Sequence, residues 1–368
     1  MNRFIISGGG TGGHIFPALA IANQLRRENP EAAILFIGAN GKMEMTRVPE
    51  AGYPIEGLDV FGIRRDLSWS SLKSNLKLPF VLLKTMRKAK AIMRRFKPDV
   101  VIGVGGYASG PALRAAQALK IPTVIQEQNS YPGKTNKWLA KKVAKICVAY
   151  DGLERFFPKD KIVKTGNPVR AEIINFQPKL DEAYSFFDLD KNKKTVLIIG
   201  GSQGARTINQ AVLAHIEDFK KIDCQLLWQT GELFYNTNEA QLSGLISQNI
   251  KIVPFIKRMN LAYSVADYIV SRAGALAIAE LAIVGVPTIL IPLPTAAEDH
   301  QTANARQLSD ADAAILLPDR EAKARLFSTL VSLMNDEEKS KELSLKIKQF
   351  AKPDAILDIV EVIKQQRT

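Results

Sequence analysis

The sequence contains few cysteine, histidine or aromatic residues and no long apolar run. Among 368 residues there are two cysteines and three histidines, and 7% are aromatic. Cys147 and Cys224 lie far apart in no metal-like spacing, which is typical of a reduced cytosolic protein without disulfides. No run of about 18 apolar residues could span a bilayer, and Phe4–Ser7 alone is too short for a signal peptide before the first glycines. These absences exclude a disulfide scaffold and an integral membrane protein.

Positive charge, in contrast, is present in excess. The net charge is +13, and the hydrophobic fraction of 46% is large enough for buried cores. Such a charge indicates an anionic partner, which could be nucleic acid, an acidic metabolite or an anionic membrane, or else a generally basic cytosolic protein. The length predicts about two domains.

Short apolar runs alternate with helical stretches along the chain. Runs such as VVIGV, VLIIG and PTILIP are apolar throughout, which is typical of buried parallel strands covered by helices. The predicted strands are 3–7, 33–38, 100–104, 122–126, 145–149, 195–199, 225–229, 251–254, 268–271, 288–291 and 314–317. This order predicts a doubly wound α/β fold.

A strand, a glycine-rich turn and a helix follow one another in three segments. They are FIISGGGTGGHIFPALAIA, VVIGVGGYASGPALRAA and VLIIGGSQGARTINQA, two in the first half and one opening the second. The repetition predicts two Rossmann-like domains, 1–168 and 169–352, joined near KTGNPVR or in the stretch that follows it. The last helix, about 353–368, could cross back and pack on the first domain.

Glycine-rich turns before helices suit an anionic ligand. They let the backbone approach closely and direct amide N–H groups at the ligand, where the helix dipole adds about 0.3–1 kcal/mol. Glycines also serve tight packing of a strand on a helix. The second strand ends in Gly38-Ala39-Asn40 without the acidic residue that a dinucleotide site needs, and there is no P-loop. A nucleotide diphosphate fits, whereas standard NAD or ATP chemistry does not.

Several motifs resemble those of the MurG family of UDP-N-acetylglucosamine transferases. They are GGTGGHIFPALAIA, KPDVVIGVGGYASGPALRAA, QEQN, GNPVR, GGSQGAR, SRAGALAIAEL and EDHQTANA, in the family's order up to about Arg306. The resemblance implies a GT-B fold, two Rossmann-like domains with the active site in the cleft between them. It assigns the acceptor and the membrane to the first domain and the UDP-sugar to the second.

The implied activity is an inverting hexosyl transfer in peptidoglycan synthesis, with consequences for cell shape and division. N-acetylglucosamine would pass from UDP-N-acetylglucosamine to the C4 hydroxyl of the muramyl sugar of lipid I, the undecaprenyl-diphosphate-linked muramyl-pentapeptide, giving lipid II. No metal and no cofactor is expected, because helix ends can stabilise the departing UDP. The D-x-D spacing at Asp188–Asp190 is interpreted as a solvated turn. Other cell-wall synthesis proteins are further candidate partners.

Two other functions compete with this interpretation. One is another GT-B UDP-sugar transferase with a membrane lipid acceptor, such as a galactolipid synthase. The other is a nucleic-acid binder, which should interleave aromatic with basic residues. Because aromatics are few, the sequence favours no nucleic-acid partner.

The resemblance also implies the residues that hold the donor. Ser202 would meet the diphosphate, and Arg170 would clamp phosphate oxygens unless it is a surface arginine. Glu280 would accept hydrogen bonds from the ribose hydroxyls, or else be an ordinary helix-face glutamate. The remaining donor residues are Ile256 at the uracil, the helix start Ala275, Leu276, Ala277, Ile278 and Ala279, and Gln301 at the sugar hydroxyls.

The first glycine-rich turn would face the reacting groups. Thr11, Gly12 and Gly13 would lie against the donor and the acceptor diphosphate, and Asn129 would reach across from the first domain. Transfer needs a base for the acceptor hydroxyl, and His14 is placed for this role because imidazole titrates near neutrality. Two alternatives remain open. His14 could merely orient the loop, and Glu127 could be the base.

A basic segment, 72–97, contains no acidic residue. A helix beginning near Pro79 would bury one face, formed by Leu82, Thr85, Ala89, Ile92, Met93 and Phe96. Leu76, Phe80 and Leu83 would remain outside beside Lys84 and Arg87. Apolar side chains ringed by bases favour an anionic bilayer surface. The sequence therefore predicts peripheral attachment to the cytoplasmic face of the inner membrane through this patch.

Overall fold

The computed structural model describes residues 2–60, 78–201 and 204–366, with side chains from Leu83 onward in the helix that begins at Leu78. The chain forms two compact units. The first comprises Met1–Pro168 together with Asp354–Thr368, and the second comprises Val169–Pro353. Each unit has one parallel sheet and its own hydrophobic core.

Seven parallel strands form the sheet of the first unit, in the order β3-β2-β1-β4-β5-β6-β7. They are β1 (Arg3–Ser7), β2 (Ala33–Ala39), β3 (Ile55–Leu58), β4 (Val100–Gly103), β5 (Thr123–Glu127), β6 (Lys145–Val148) and β7 (Ile162–Lys164). Ile5 pairs with Leu35 on one side and Val101 on the other. The strand order therefore reverses between β1 and β4, and ligands of open α/β sheets bind beyond the carboxyl ends of strands at such a point.

In the described part of the first unit, five helices connect these strands. They are α1 (Gly12–Glu28), α2 (Glu44–Glu50), α3 (Leu78–Phe96), α4 (Ser109–Ala118) and α5 (Lys134–Leu139). α1 buries Ile15, Ala18, Ile21, Ala22 and Leu25, a helical spacing that keeps one face on the sheet. Thr85, Ala89, Ile92 and Met93 of α3 are buried as the sequence predicts, whereas Leu82 lies outside the described side chains.

Six parallel strands form the sheet of the second unit, in the order β10-β9-β8-β11-β12-β13. They are β8 (Lys194–Ile199), β9 (Cys224–Gln229), β10 (Ile250–Val253), β11 (Tyr268–Ser271), β12 (Thr288–Leu290) and β13 (Ile315–Leu316). Ile198 pairs with Trp228 and with Val270, so this order reverses between β8 and β11. The turns after these two strands are GGSQGA and RAG, which gives the second unit a switch point like that of the first.

Eleven helices belong to the second unit. They are α6 (Ala171–Ile174), α7 (Asp181–Phe187), α8 (Arg206–Ala214), α9 (Ile216–Phe219), α10 (Glu232–Thr237), α11 (Glu239–Ser243), α12 (Met259–Val265), α13 (Ala275–Val284), α14 (His300–Ser309), α15 (Ala322–Asn335) and α16 (Glu337–Lys348), counted over the described part of this unit.

The last helix, α17 (Ala355–Lys364), packs on the first unit, mainly against α1. Ile359 and Ile363 enter the core of that unit. Lys364 forms an ion pair with Glu28 of α1 at 2.9 Å. The C-terminal helix thus completes the first core although the second unit precedes it in the chain.

Every strand predicted from the sequence is present, with ends that differ by no more than one residue. The prediction missed β3 and β7, which lie at the two edges of the first sheet. Both are short, and among their residues Leu58 alone is buried. An edge strand that is not covered on both sides does not need a continuous apolar run, so the apolar pattern does not reveal it.

Candidate functional site

The first glycine-rich turn connects β1 to the helix α1 at the switch point. Thr11 is the N-cap of this 17-residue helix, which begins at Gly12. Gly12 and Gly13 therefore contribute first-turn amides, which lie at the positive end of the helix dipole. At Gly10 the backbone has φ +86° and an added Cβ would meet no atom within 4 Å. The turn is thus a site where an anion could approach the main chain closely.

His14 lies half-buried in the first turn of α1. Its Nδ1 is 3.0 Å from the carbonyl oxygen of Gly9 and 3.4 Å from the hydroxyl of Thr11. Because a carbonyl oxygen can only accept a hydrogen bond, this contact assigns the proton to Nδ1. The lone pair of the neutral ring is then on Nε2, the nitrogen that could take a proton from a substrate.

The second glycine-rich turn, after β4, packs directly on the first. An added Cβ at Gly105 would lie 2.8 Å from Nε2 of His14, and one at Gly106 would lie 2.3 Å from the carbonyl oxygen of Gly9. The sequence interpretation of all three turns as ligand sites is therefore incomplete. Gly105 and Gly106 have positive φ and make room for the loop and ring of the first turn.

Glu127 is buried at the end of β5, with 2% exposure. Its Oε1 accepts from the backbone and side-chain amides of Asn129, at 3.0 and 3.3 Å. Its Oε2 accepts from the Gly133 amide at 3.2 Å and from Asn136 Nδ2 at 2.8 Å. The carboxylate thus holds the 129–136 loop from inside.

A polar network that the sequence interpretation missed connects this loop to the GNP turn. Gln126 donates to Asn167 Oδ1 at 3.0 Å, and Asn167 donates to the carbonyl of Gln128 at 2.9 Å. All three side chains are buried. The only sequence signal for this network is the series of amide side chains at the end of β5, and it does not indicate that Asn167 is their partner.

Glu280 and Arg170 form the polar centre of the second unit. The Arg170 guanidinium donates to both carboxylate oxygens of Glu280, at 2.7 and 2.8 Å, and the Tyr263 hydroxyl donates to Oε2 at 3.1 Å. Burial and the Glu280 charge raise the pKa of Tyr263 well above its usual value. Burial opposes the charge on Arg170, but the hydrogen bonds and charge of Glu280 prevail and raise its pKa. Arg170 therefore stays protonated beside Glu280.

The turn after β8 is the third glycine-rich turn. Gly201 has φ +79° with open space at its Cβ position, whereas a Cβ at Gly200 or Gly204 would clash with backbone atoms. Gln229 donates to the Gly201 carbonyl at 3.0 Å. Ser202, the residue expected at the diphosphate, lies outside the described residues.

Helix α13 begins at Ala275, after β11, and the third glycine-rich turn follows β8. Because β8 and β11 are paired, these two strand ends form the switch point of the second sheet. Gly274 is the N-cap, Ala275 and Ile278 are buried, and Leu276, Ala277 and Ala279 are half-buried. Five residues after this start, Glu280 accepts hydrogen bonds from Arg170. The segment thus presents helix N-terminal amides and a charged acceptor on one element.

Ile256 and Gln301 occupy separate places in the second unit. Ile256 is 4% exposed and lines a cavity of about 350 Å³ together with Phe187, Ile252 and Phe255. Gln301 accepts from the Leu293 amide at 3.0 Å and so fixes the chain after β12. Its amide nitrogen is the group that could bond a sugar hydroxyl.

Comparison with known proteins places both units in one enzyme family. Residues 4–148 match the glycosyltransferase family 28 N-terminal domain, and residues 195–359 match the C-terminal domain of the same family. A UDP-N-acetylglucosamine–N-acetylmuramyl-(pentapeptide) pyrophosphoryl-undecaprenol N-acetylglucosamine transferase from Flavobacterium psychrophilum is 51% identical over 98% of this chain and 97% of its own. A protein of the same name from Parabacteroides distasonis is 48% identical over 99% of both chains. The crystal structure of Acinetobacter baumannii MurG has a TM-score of 0.79 and 30% identity, and it covers 99% of this chain and 100% of that one.

The chain belongs to the MurG family of glycosyltransferases. The family membership predicted from the short motifs and the predicted two-domain GT-B fold are therefore confirmed. Motif residues of this chain follow β1, β4, β5, β8 and β11. The motifs thus lie on the edges of the two sheets where ligands of such folds bind.

The remaining histidines of this MurG-family chain serve local structure. His215 lies between α8 and α9, where Nδ1 is 3.2 Å from Asp218 and the ring stacks on Phe327. His300 Nδ1 is 2.6 Å from the carbonyl of Ala297. At the D-x-D spacing, Asp188 forms an ion pair with Lys251.

The basic helix α3 exposes the side that the sequence predicts, as far as the structure describes it. Leu83 is 51% exposed, and Lys84 and Arg87 are exposed beside it. Leu76 and the side chain of Phe80 lie outside the described residues.

Within the described ranges, no helix of this MurG-family chain is both long and apolar enough to cross a membrane.

Proposed function

We propose that this enzyme transfers N-acetylglucosamine from UDP-N-acetylglucosamine to the C4 hydroxyl of the muramyl sugar of lipid I, giving lipid II for peptidoglycan. The observation that carries the proposal is the full-length similarity, near half identity, to transferases named for this reaction. A galactolipid synthase or another lipid glycosyltransferase is not favoured, because the similarity extends over both domains and not over the donor domain alone.

The second unit is the proposed donor domain. Helix α13 directs its first-turn amides at the UDP diphosphate, and the Gly201 turn, which continues to Ser202, adds backbone donors. Ile256 packs at the uracil, where its main-chain amide and carbonyl read the base edge. Gln301 uses its amide nitrogen on the sugar hydroxyls. These groups also stabilise the negative charge that develops on the departing UDP.

Glu280 is the proposed ribose acceptor, and Arg170 acts through it. Each carboxylate oxygen has two lone pairs, so the two bonds from Arg170 and the one from Tyr263 leave an acceptor site on Oε1 for a ribose hydroxyl. A hydrogen bond from a ribose hydroxyl to this carboxylate, which is paired with Arg170, is charge-assisted. The sequence alone predicts Arg170 at the phosphates instead. Its contacts with Glu280 support a role in orienting the carboxylate for the ribose.

His14 of the first unit is the proposed general base. Nε2 takes the proton from the acceptor C4 hydroxyl while the oxygen attacks C1 of the donor sugar. The bond from C1 to the diphosphate oxygen breaks, UDP leaves with the electron pair, and configuration inverts. The imidazolium then returns its proton to solvent. The Nδ1 contact with Gly9 supports this assignment, because it puts the lone pair on Nε2.

Glu127 is less suited to be the base. Its two oxygens accept four hydrogen bonds from the 129–136 loop and it is 2% exposed. These four hydrogen bonds occupy the roughly four lone-pair sites of a carboxylate, so no site is left for the acceptor hydroxyl. We therefore assign Glu127 to holding Asn129 in place, and Thr11, Gly12, Gly13 and Asn129 to the acceptor diphosphate and donor sugar.

Membrane attachment is proposed through α3, at the cytoplasmic face of the inner membrane. The helix contains no acidic residue, and its exposed side presents Leu83 among Lys84 and Arg87. Each base near an anionic surface adds about 1 kcal/mol of attraction, and apolar side chains enter the interface. Leu76 and Phe80 belong to the same proposed patch. This location suits an acceptor that is anchored in the bilayer.

The proposed function is tested by turnover with defined acceptors. The purified enzyme receives UDP-N-acetylglucosamine with lipid I, with the same muramyl-pentapeptide lacking its diphosphate, or with diacylglycerol, and products are identified by mass spectrometry. We expect transfer to lipid I and little to the acceptor without diphosphate. Transfer to diacylglycerol with none to lipid I would refute the proposal and support the alternative lipid glycosyltransferase.

A further inference from the structure

Glu44 is a buried carboxylate that the proposed reaction does not use. It is 1% exposed and is the first residue of α2, which follows β2. Its Oε1 accepts from the Ala39 amide at 2.9 Å, and its Oε2 accepts from the Gly10 amide at 2.8 Å. A carboxylate is costly to bury unless its oxygens are hydrogen-bonded, so these two main-chain donors are part of what holds it there.

The chain has glycine where this carboxylate meets the main chain. A Cβ at Gly9 would lie 2.1 Å from the carboxyl carbon of Glu44, and a Cβ at Gly38 would lie 2.6 Å from its Cγ. Both positions therefore make room for Glu44. These glycines are explained by the carboxylate and need no ligand to account for them.

One peptide group connects Glu44 to the proposed base. The N–H and C=O of a trans peptide point in opposite directions within one plane. In the peptide between Gly9 and Gly10, the N–H donates to Glu44 and the C=O accepts from His14 Nδ1 at 3.0 Å. Glu44 therefore sets the direction of the carbonyl that holds the imidazole.

We propose that Glu44 is a positioning residue for the transfer reaction, which acts on His14 through the Gly9–Gly10 peptide. It holds the proton of the neutral imidazole on Nδ1 and thereby the lone pair on Nε2. Hydrogen bonding to the carboxylate polarises the peptide, which makes the Gly9 carbonyl a stronger acceptor and stabilises the imidazolium formed during transfer. The arrangement is a carboxylate–histidine pair with a peptide group between its members. The inference rests on the proposed role of His14.

The tautomer of His14 in the wild-type enzyme is the first test. The chain has three histidines, so the ring nitrogens of His14 can be assigned in two-bond ¹H–¹⁵N spectra by comparison with His14→Gln. In the neutral ring we expect the ¹⁵N shift of a protonated Nδ1 and an unprotonated Nε2. A neutral ring with its proton on Nε2 would overturn the inference without any Glu44 variant.

The second test compares Glu44→Gln with Glu50→Gln, an exposed glutamate on the same helix. A glutamine amide can accept from only one of the two main-chain donors and turns its NH2 toward the other. We expect kcat to fall about ten- to hundredfold and the Nδ1-protonated tautomer to lose population, with the donor KM unchanged. Glu50→Gln should match the wild type. A Glu44→Gln enzyme with wild-type kcat and tautomer would contradict the proposal.

The third test asks whether Glu44 acts through His14. In a His14→Ala background, Glu44→Gln should lower the residual kcat by less than about twofold, because the group that it positions is gone. A further loss as large as that in the wild-type background would show a general structural role and overturn the inference. If His14→Ala itself keeps most of its turnover, the base assignment fails. If it is inactive while the wild-type tautomer is Nε2-protonated, only the role of Glu44 fails.

Discussion

The two units hold their central polar groups in different ways. In the first unit, Glu44 and His14 are bonded to main-chain groups of one glycine-rich turn. In the second, Glu280 is bonded to the side chains of Arg170 and Tyr263. Main-chain partners fix the orientation of a polar group as long as the turn keeps its backbone conformation, whereas the Arg170–Glu280 pair joins two side chains of opposite charge type. This contrast agrees with the proposed roles, which are proton transfer in the first unit and donor binding in the second.

The largest expected effect is on the chemistry of the first unit. His14→Ala should lower kcat by about 10²- to 10⁴-fold, because the acceptor hydroxyl loses its base. The proposed donor site lies in the other unit, so we expect the Kd for UDP, measured by calorimetry, to stay within about twofold of the wild type. His300→Ala is the matched control, since that ring bonds a local carbonyl.

A His14→Ala enzyme that keeps its turnover would contradict the proposal that His14 of the first unit is the base. The base would then have to be sought elsewhere, and Glu127→Gln would be the next variant to assay. If Glu127 only holds the 129–136 loop, that variant should lose less activity than His14→Ala.

The second effect should appear in donor binding. Glu280→Ala removes a charged acceptor for the ribose and leaves Arg170 without its partner, so the donor KM should rise about 10- to 100-fold. Discrimination between UDP-sugars and dTDP-sugars should weaken at the same time, and steady-state kinetics with both donors measures this. Glu239→Ala, at an exposed position of the same unit, is the control. A donor KM equal to that of the wild type would remove Glu280 from the ribose site.

A smaller effect is expected at the membrane. Lys84→Gln/Arg87→Gln should weaken binding to anionic vesicles about 30-fold at low salt, since each base contributes about 1 kcal/mol. Leu83→Ser should weaken it further, and the triple variant Leu76/Phe80/Leu83→Ser tests the whole apolar patch. Sedimentation with anionic and neutral vesicles gives the partition. Lys341→Gln/Lys352→Gln changes the net charge equally on the second unit, and equal losses in both variants would contradict the α3 assignment.

The smallest expected effect is that of metal removal. We expect a chelator to leave kcat unchanged, because main-chain amides and helix ends of the second unit are proposed to stabilise the departing UDP. Turnover is measured before and after treatment with EDTA and after addition of Mg²⁺. A loss restored by Mg²⁺ would show that the second unit does not balance the diphosphate charge by itself.

Much of the fold could be predicted from local pattern. Uninterrupted apolar runs identified every strand that is buried on both faces, and glycine clusters after β1, β4 and β8 identified the turns at the strand ends. The two missed strands, β3 and β7, are short edge strands with polar or half-buried residues. Their positions depend on neighbouring strands, which a local pattern does not contain.

The site was predictable in its residue types but not in its pairings. A buried carboxylate in the segment after Gly274 indicated a partner, yet Arg170 lies 110 positions away in the chain. Gly105 and Gly106 looked like ligand-binding glycines, although they make room for His14 and Gly9. Glu44 was not predicted to take part, because its only signal is a glutamate soon after a strand.

By itself, the sequence determined the alternation of strands and helices, the glycine-rich turns at strand ends and, through its motifs, membership of the MurG family. These features depend on residues near one another in the chain, where apolar periodicity and backbone freedom act directly. Only the tertiary structure decided that Glu44 meets Gly10, that Arg170 meets Glu280, and that α17 completes the first core. Such contacts form when parallel strands bring distant turns to one edge of a sheet, and no local spacing specifies which turns will be neighbours.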